Sequence, residues 1–206
     1  MNRFIRFMPL VRNGSRSFNF ARVNRSTVCR LMHPDDANIA GNVHGGTILK
    51  LIEEGGFIIA TRHCNKNRRK DDEVVLAALA HVERTDFLLP MYIGEIAQVH
   101  VELAYASKRS LEVKAFVWAE NLGTGNRRLT NSASLWYVPA VWRWGSDLRV
   151  ITEVPALEYS SKEEEDRGKA RYEMQKRARL DKEERLGQEE VNLTLLMSRC
   201  TRTTYM

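Results

Sequence analysis

The stretch that decides the fold runs from Met32 to Glu54 and reads MHPDDANIAGNVHGGTILKLIEE. Its first part, residues 33–46, is a polar loop rich in Asp, Asn and His and interrupted by glycines. The loop leads directly into residues 47–64, whose apolar side chains fall on nearly every side of a helix, so we expect that helix to be buried. The sequence therefore places a cluster of polar groups against the N-terminus of a buried helix.

Short segments around this stretch predict strands. Residues 27–32 are apolar-rich and precede the loop, and a charged loop at 65–73 follows the helix. Apolar and polar residues then alternate with a period of two, which predicts strands at 74–84, 95–105, 111–120 and 128–138, the last ended by Pro139. The turns ASKRS and NLGTGN favour an antiparallel meander of these four strands. Gly55 and Gly56 inside the helix indicate that another backbone packs closely there.

The two ends of the chain differ from this body. Residues 1–26 contain six arginines and no Asp or Glu, a composition typical of a mitochondrial transit peptide or of a plain basic extension. We assign 27–156 to one domain. Residues 157–186 are highly charged and predict a solvated linker helix, with a Ser cap and glutamates in its first turn. Residues 187–206 are expected to be an unstructured tail.

Charge and cysteine content exclude several classes of protein. Subtracting the six N-terminal arginines from the net charge of +6 leaves residues 27–206 neutral, so the body carries no nucleic-acid footprint. No run approaches the ~18 apolar residues of a membrane span. Three widely spaced cysteines, Cys29, Cys64 and Cys200, fit a reducing compartment and form no zinc motif.

The same segments carry a resemblance to a known family. The stretch at 32–54, together with ATRHCN, VERTDFLLPM, LTNSASLWYVP and the acidic helix, resembles the first hotdog domain of the cytosolic, brain-type acyl-CoA hydrolases. The resemblance implies an α+β hotdog fold, an antiparallel sheet wrapped around a central helix, and hydrolysis of fatty acyl-CoA without a metal or separate cofactor. It also implies homo-oligomers, either dimers or trimers of dimers. Family members carry two hotdog domains, and we expect this chain to be a shortened form with one.

Four residues are the candidate catalytic groups. Backbone N–H groups of Gly45 and Gly46 lie where the helix begins, and there they can stabilise an oxyanion. The resemblance aligns Asn38 with a catalytic Asn that orients water or the thioester; capping its own loop is the alternative. It also places a catalytic carboxylate at Glu53, whose burial would raise its pKa and favour a general base. Glu54 is the competing acid.

Further residues are candidates for substrate binding. His44 could polarise substrate or be structural, and Asn42 and Thr47 could line the pocket beside it. The segment VERTDF is expected to line or brace the pocket between subunits, mainly through Arg84 and Asp86. Lys108, Arg109 and Ser110 lie at a strand turn where the family binds CoA phosphates.

These observations predict an enzyme that hydrolyses medium- to long-chain fatty acyl-CoA by direct attack of water, in a cleft shared by two copies. No Ser or Cys lies in a nucleophile motif such as GxSxG, so a covalent intermediate is disfavoured. The alternative is a catalytically weak acyl-CoA-binding or assembly module. The expected location is the cytoplasm, or the mitochondrion if the extension is a transit peptide.

Overall fold

The structure is a computed structural model that describes residues 24–69, 72–141, 149–150 and 153–202. The predicted transit segment therefore lies almost wholly outside the described residues. The elements are β1 (Arg25–Leu31), a short 3-10 turn (Pro34–Asp36), α1 (Gly45–Cys64), β2 (Val75–Phe87), β3 (Ile96–Ala106), β4 (Leu111–Glu120), β5 (Arg127–Val141), β6 (Arg149–Val150) and α2 (Lys162–Arg202).

The strands form one antiparallel sheet in the order β1-β3-β4-β5-β2, and β6 pairs with the end of β5. The predicted four-strand meander is therefore wrong in one respect. Only β3, β4 and β5 follow one another as neighbours, whereas β2 crosses over and pairs with β5. Alternation of side chains reports which face of a strand is buried, but it does not report which strand lies beside it.

One face of the sheet covers α1 and forms the core. Inward residues of β3 and β4 are fully buried, among them Val99, Val101, Val113 and Val117. The opposite side of α1 is more exposed, with Leu49 and Lys50 open to solvent, so the helix is buried on one side rather than all round. The sheet and helix thus form the hotdog fold that the sequence predicts.

Gly55 and Gly56 are needed for this packing, although side chains and not another backbone approach them. A Cβ on Gly55 would lie 3.0 Å from Val101 Cγ1, and one on Gly56 would lie 2.8 Å from Tyr137 Cζ. The Tyr137 hydroxyl donates to the carbonyl oxygen of Glu53 at 3.0 Å. Tyr137 therefore joins β5 to the middle of α1.

Pro139 does not end its strand, contrary to expectation. β5 continues to Val141, and Pro139 pairs with Ala77 of β2. On its other side β5 pairs with β4, and that pairing ends at Tyr137, which lies opposite Leu111, the first residue of β4. Pro139 therefore lies where β4 no longer flanks the strand, a position at which a missing N–H is tolerated.

Helix α2 lies against the other face of the sheet. Ser161 caps it, with its Oγ accepting from the Glu164 N–H at 3.3 Å. Tyr172 packs on Tyr105 and on Trp136, with ring centroids 5.7 Å apart in both pairs.

Helix α2 runs on to Arg202, so the expected unstructured tail from residue 187 is wrong for 187–202. That segment contains no proline and many helix-forming residues, which explains the continuation. Among the described helices, none is long and apolar enough to cross a membrane.

Candidate active site

The polar loop before α1 is ordered by its own side chains. Asp36 is buried, accepts from the His33 N–H at 2.9 Å, and pairs with Arg30 at 2.8 Å. The Asp36 carbonyl oxygen accepts from the His44 N–H at 2.7 Å. These contacts fix the position at which the loop enters the helix.

Asn38 closes a turn within this loop. Its Oδ1 accepts from the N–H groups of Ala40 and Asn42, at 2.9 and 3.1 Å, while its own N–H donates to the Asn42 carbonyl oxygen at 2.7 Å. The acceptor atom of the side chain is therefore used to cap the loop. The Nδ2 amide, which can only donate, is the part of Asn38 that remains for a substrate.

The first turn of α1 has one N–H group that is open. His44 is the N-cap, and its Nδ1 accepts from the Gly46 N–H at 2.9 Å, while Thr47 N–H donates to the His44 carbonyl oxygen at 2.9 Å. Within the described residues no acceptor bonds to the Gly45 N–H. Of the two predicted oxyanion donors, the structure thus leaves Gly45 free and engages Gly46 with His44, an exposed side chain with a capping role.

Glu53 is the better placed of the two helix carboxylates. It is half-buried, and burial first, then the neighbouring Glu54 carboxylate, raise the pKa of Glu53 above its ordinary value. Glu54 lies 100° away around the helix and forms an exposed ion pair with Lys50 at 3.9 Å. A carboxylate with a raised pKa that is not held in an ion pair is suited to accept a proton from water.

Arg84 and Asp86 do not lie on the α1 side of the sheet. They pair in register with Ser134 and Ser132 on the opposite face, where Arg84 Nε donates to Asp86 Oδ1 at 2.9 Å and Ser132 Oγ donates to Asp86 Oδ2 at 3.3 Å. They brace each other, and within one chain they do not line the cleft. Alternation along the strand instead turns Thr85 and Phe87 toward α1.

The predicted phosphate-binding turn is also remote from Gly45 within one chain. The Lys108 carbonyl oxygen accepts from the Val154 N–H, and the next residue, Pro155, bonds through its carbonyl oxygen to His63 at the C-terminal end of α1. Helix α1 has 20 residues and is about 30 Å long. Ser110 is buried and bonds to Ser107 at 2.8 Å, so it stabilises the turn. Within one chain, Lys108 and Arg109 therefore lie far from the start of α1.

Three features near the cleft were not found from the sequence. A Cβ on Gly45 would lie 3.2 Å from Phe87 Cε1, so the Phe87 ring covers the start of α1. Asn131, the residue of β5 that pairs in register with Phe87, is fully buried. Arg128 and Glu95 form a bidentate ion pair at 2.6 and 2.7 Å that braces the loop before β3. Burial alone would raise the pKa of Glu95, but Arg128 and the Tyr92 N–H hold it below its ordinary value.

The comparisons agree with this fold. Residues 40–125 match the Thioesterase superfamily model. The chain is 53% identical over 161 residues to the cytosolic acyl coenzyme A thioester hydrolase of Mus musculus, covering 78% of this chain and 41% of that protein. It is 30% identical to an uncharacterized acyl-CoA thioester hydrolase of Bacillus subtilis, covering 68% of this chain and 75% of that one. A crystal structure of an apo-hexameric acyl-CoA thioesterase superposes with a TM-score of 0.61 at 26% identity, covering 75% and 92% of the two chains.

The fold and these matches define a hotdog thioesterase domain. The chain belongs to the thioesterase superfamily, within its group of acyl-CoA thioester hydrolases. It spans about two fifths of the length of the mammalian relatives it matches.

Proposed function

We propose that this protein hydrolyses fatty acyl-CoA to the free fatty acid and CoA by direct attack of water on the thioester. The observation that carries the proposal is the open Gly45 N–H at the start of α1, beside the Asn38 loop. A helix N-terminus with an unpaired donor stabilises negative charge that develops on a carbonyl oxygen. The names of the relatives support the same substrate class.

In the proposed reaction, Asn38 Nδ2 orients the water or the thioester, and Glu53 takes a proton from the water as its oxygen attacks the carbonyl carbon. The resulting oxyanion is held by the Gly45 N–H, and Gly46 can add a second donor only if His44 turns away from it. Collapse of the tetrahedral intermediate breaks the C–S bond. The CoA thiolate leaves and takes the proton that Glu53 had accepted, which restores the Glu53 carboxylate, and the carboxylic acid remains.

The complete cleft is proposed to be shared by two copies of the chain. Strand β2 is an edge strand of the described sheet, because only β5 pairs with it there. We expect pairing of two β2 edges to bring the Asn38 loop of one copy to the Glu53 side of the other, and the similarity to one hexameric acyl-CoA thioesterase supports such assembly. Arg84, Asp86, Lys108 and Arg109 would then contact the substrate from the other copy.

Acyl-CoA hydrolysis by the purified full chain tests the proposal. We expect turnover of palmitoyl-CoA, a loss of about 10²-fold or more in kcat for Asn38→Ala and for Glu53→Gln, and no loss for Glu54→Gln. Normal turnover by the Asn38→Ala variant would contradict the assignment.

The names of the mammalian relatives favour the cytosol and give no support to the mitochondrial alternative. The N-terminal residue of the protein isolated from cells tests the location.

The second candidate function is an acyl-CoA-binding or assembly module with little catalysis. Two observations favour it, namely the use of Asn38 Oδ1 and of the Gly46 N–H within the chain itself. Calorimetry with CoA beside the hydrolysis assay separates the two functions, because a module binds CoA without turnover.

A further inference from the structure

Two buried polar groups beneath α1 have no hydrogen-bond partner. Among the described residues, Thr85 Oγ1 and Asn131 Nδ2 are inaccessible to solvent and unpaired, and only Gln175 of α2 shows the same property. Buried polar groups in folded proteins are almost always paired, because an unpaired one is unfavourable. Both groups therefore require an explanation.

The two groups are neighbours on one face of the sheet. Thr85 pairs in register with Ala133, and Phe87 pairs with Asn131, so Thr85 and Asn131 are diagonal neighbours across β2 and β5. Side chains two residues apart on a strand share a face, so Asn131 lies on the same side of β5 as Tyr137, which bonds to Glu53 of α1. Both unpaired groups thus lie on the face that α1 covers.

Phe87 connects these groups to the N-terminus of α1. Its ring lies 3.2 Å from the position of a Cβ on Gly45, and its register partner is Asn131. Phe87 itself is 57% exposed, so its ring has solvent into which to turn. The Gly45 N–H, Asn131 Nδ2 and Thr85 Oγ1 can all donate a hydrogen bond. Three groups able to donate and lacking an acceptor thus neighbour Phe87: Gly45 contacts its ring, Asn131 is its register partner, and Thr85 lies two residues before it on the same face.

We infer that Asn131 and Thr85 are further substrate-contacting residues that, together with the Gly45 N–H, bind the carbonyl oxygen of the thioester once the Phe87 ring turns away. This inference rests on the proposed function and extends it. It supplies the second donor that the engagement of Gly46 with His44 removes. It also explains why the fold retains two unpaired buried groups, because polar groups that bind a ligand lack a partner while the ligand is absent.

The test uses substitutions that keep shape and remove the donor, Asn131→Leu and Thr85→Val, in the full chain. Because each group is unpaired at rest, its replacement should leave the melting temperature unchanged or raise it. Turnover should fall with little change in KM, by about 10²-fold in kcat for Asn131→Leu and about 5-fold for Thr85→Val. The matched control is Thr130→Val, because the buried Thr130 hydroxyl donates to the Val117 carbonyl oxygen at 3.1 Å. That variant should lower the melting temperature and leave kcat unchanged.

Binding of two non-hydrolysable acyl-CoA analogues separates this inference from the proposed function. One is a ketone that keeps the carbonyl, and the other is a thioether that lacks it. We expect both variants to weaken binding of the ketone and to leave binding of the thioether unchanged, whether or not the wild-type chain turns over. Wild-type turnover with unchanged kcat in both variants would overturn the inference and leave the function standing. A lowered melting temperature with unchanged kcat would show that the groups hold only a structural water, which also overturns it.

Discussion

At the scale of single residues, Gly56 is a position on α1 where the packing allows almost no added atom. A Cβ there would overlap the Tyr137 ring, 2.8 Å from its Cζ, and Tyr137 is fully buried. Gly56→Ala would gain about 1 kcal/mol of helix propensity. The overlap should cost about 2–3 kcal/mol, so we expect a net loss of about 1–2 kcal/mol in the free energy of unfolding, measured by urea denaturation.

Gly55→Ala is the control for that substitution. The one tight contact of its Cβ would be with a methyl group, Val101 Cγ1, at 3.0 Å, and a small shift of that side chain relieves it. The two variants gain the same helix propensity, so the difference between them isolates the Tyr137 overlap. Equal stability of the two variants would show that Tyr137 moves without cost.

Glu53 sets the expected pH dependence of turnover. A general base must be ionised, and burial followed by the Glu54 carboxylate raises the pKa of Glu53. The acid limb of kcat/KM against pH should therefore lie above the ordinary range of a Glu side chain. Removing the Glu54 charge with Glu54→Gln removes one of these two causes and should move the limb toward lower pH. If the acid limb does not shift in Glu54→Gln, a group other than Glu53 causes it.

The residues of the site were only partly predictable from sequence. Gly45 could be singled out as a candidate because a glycine-containing polar loop before a helix has a recognisable pattern, whereas Asn38 and Glu53 became candidates through the resemblance to the acyl-CoA hydrolases. Engagement of Gly46 by the His44 side chain was not foreseen, since a His at an N-cap is uncommon. Asn131 gives no sequence signal at all. Its significance comes from lacking a partner, which only the packed structure shows.

At the scale of elements, one buried ion pair fixes α2 to the sheet. Glu112 of β4 is 0% exposed and accepts from Arg171 through both carboxylate oxygens, at 2.7 to 3.0 Å. Arg171→Met leaves that carboxylate buried without an opposite charge, so we expect a loss of about 3 kcal/mol in the free energy of unfolding. The double variant Arg171→Met with Glu112→Leu should recover most of it, because two apolar groups replace the pair. Chemical denaturation of the single and double variants measures both. If the double variant is no more stable than Arg171→Met, the ion pair stabilises the fold by more than neutralising the buried Glu112 charge.

The positions of the elements followed from the sequence more closely than their arrangement did. Helix α1 and strands β3 and β4 begin and end within about two residues of the predicted bounds, because their apolar periods are regular. The place of β2 beside β5 depends on long-range pairing, for which alternation carries no information. For the same reason the outward direction of Arg84 and Asp86 became clear only once the register with Ser132 and Ser134 was known.

At the scale of the whole molecule, one chain carries the groups of the proposed site but leaves their surroundings exposed. Residues near the start of α1 remain exposed, including Ile39, Phe87, Leu88 and Tyr92, and β2 has a free edge in the described sheet. Exposed apolar residues beside an unpaired strand edge favour association with another copy. A site completed by association makes activity depend on assembly, and this dependence can be measured directly.

Mixing two inactive variants tests whether the site is shared. If Asn38 of one copy works with Glu53 of its partner, Asn38→Ala and Glu53→Gln homodimers have no intact site. A mixed dimer has one site with both residues intact and one with neither. Random exchange of subunits should then restore about a quarter of wild-type activity, since half of the dimers are mixed and each has one of two sites working. Co-expression with two different affinity tags yields the mixed dimer, and native mass spectrometry confirms its composition. Verified mixed dimers without activity would place both residues in the same chain's site.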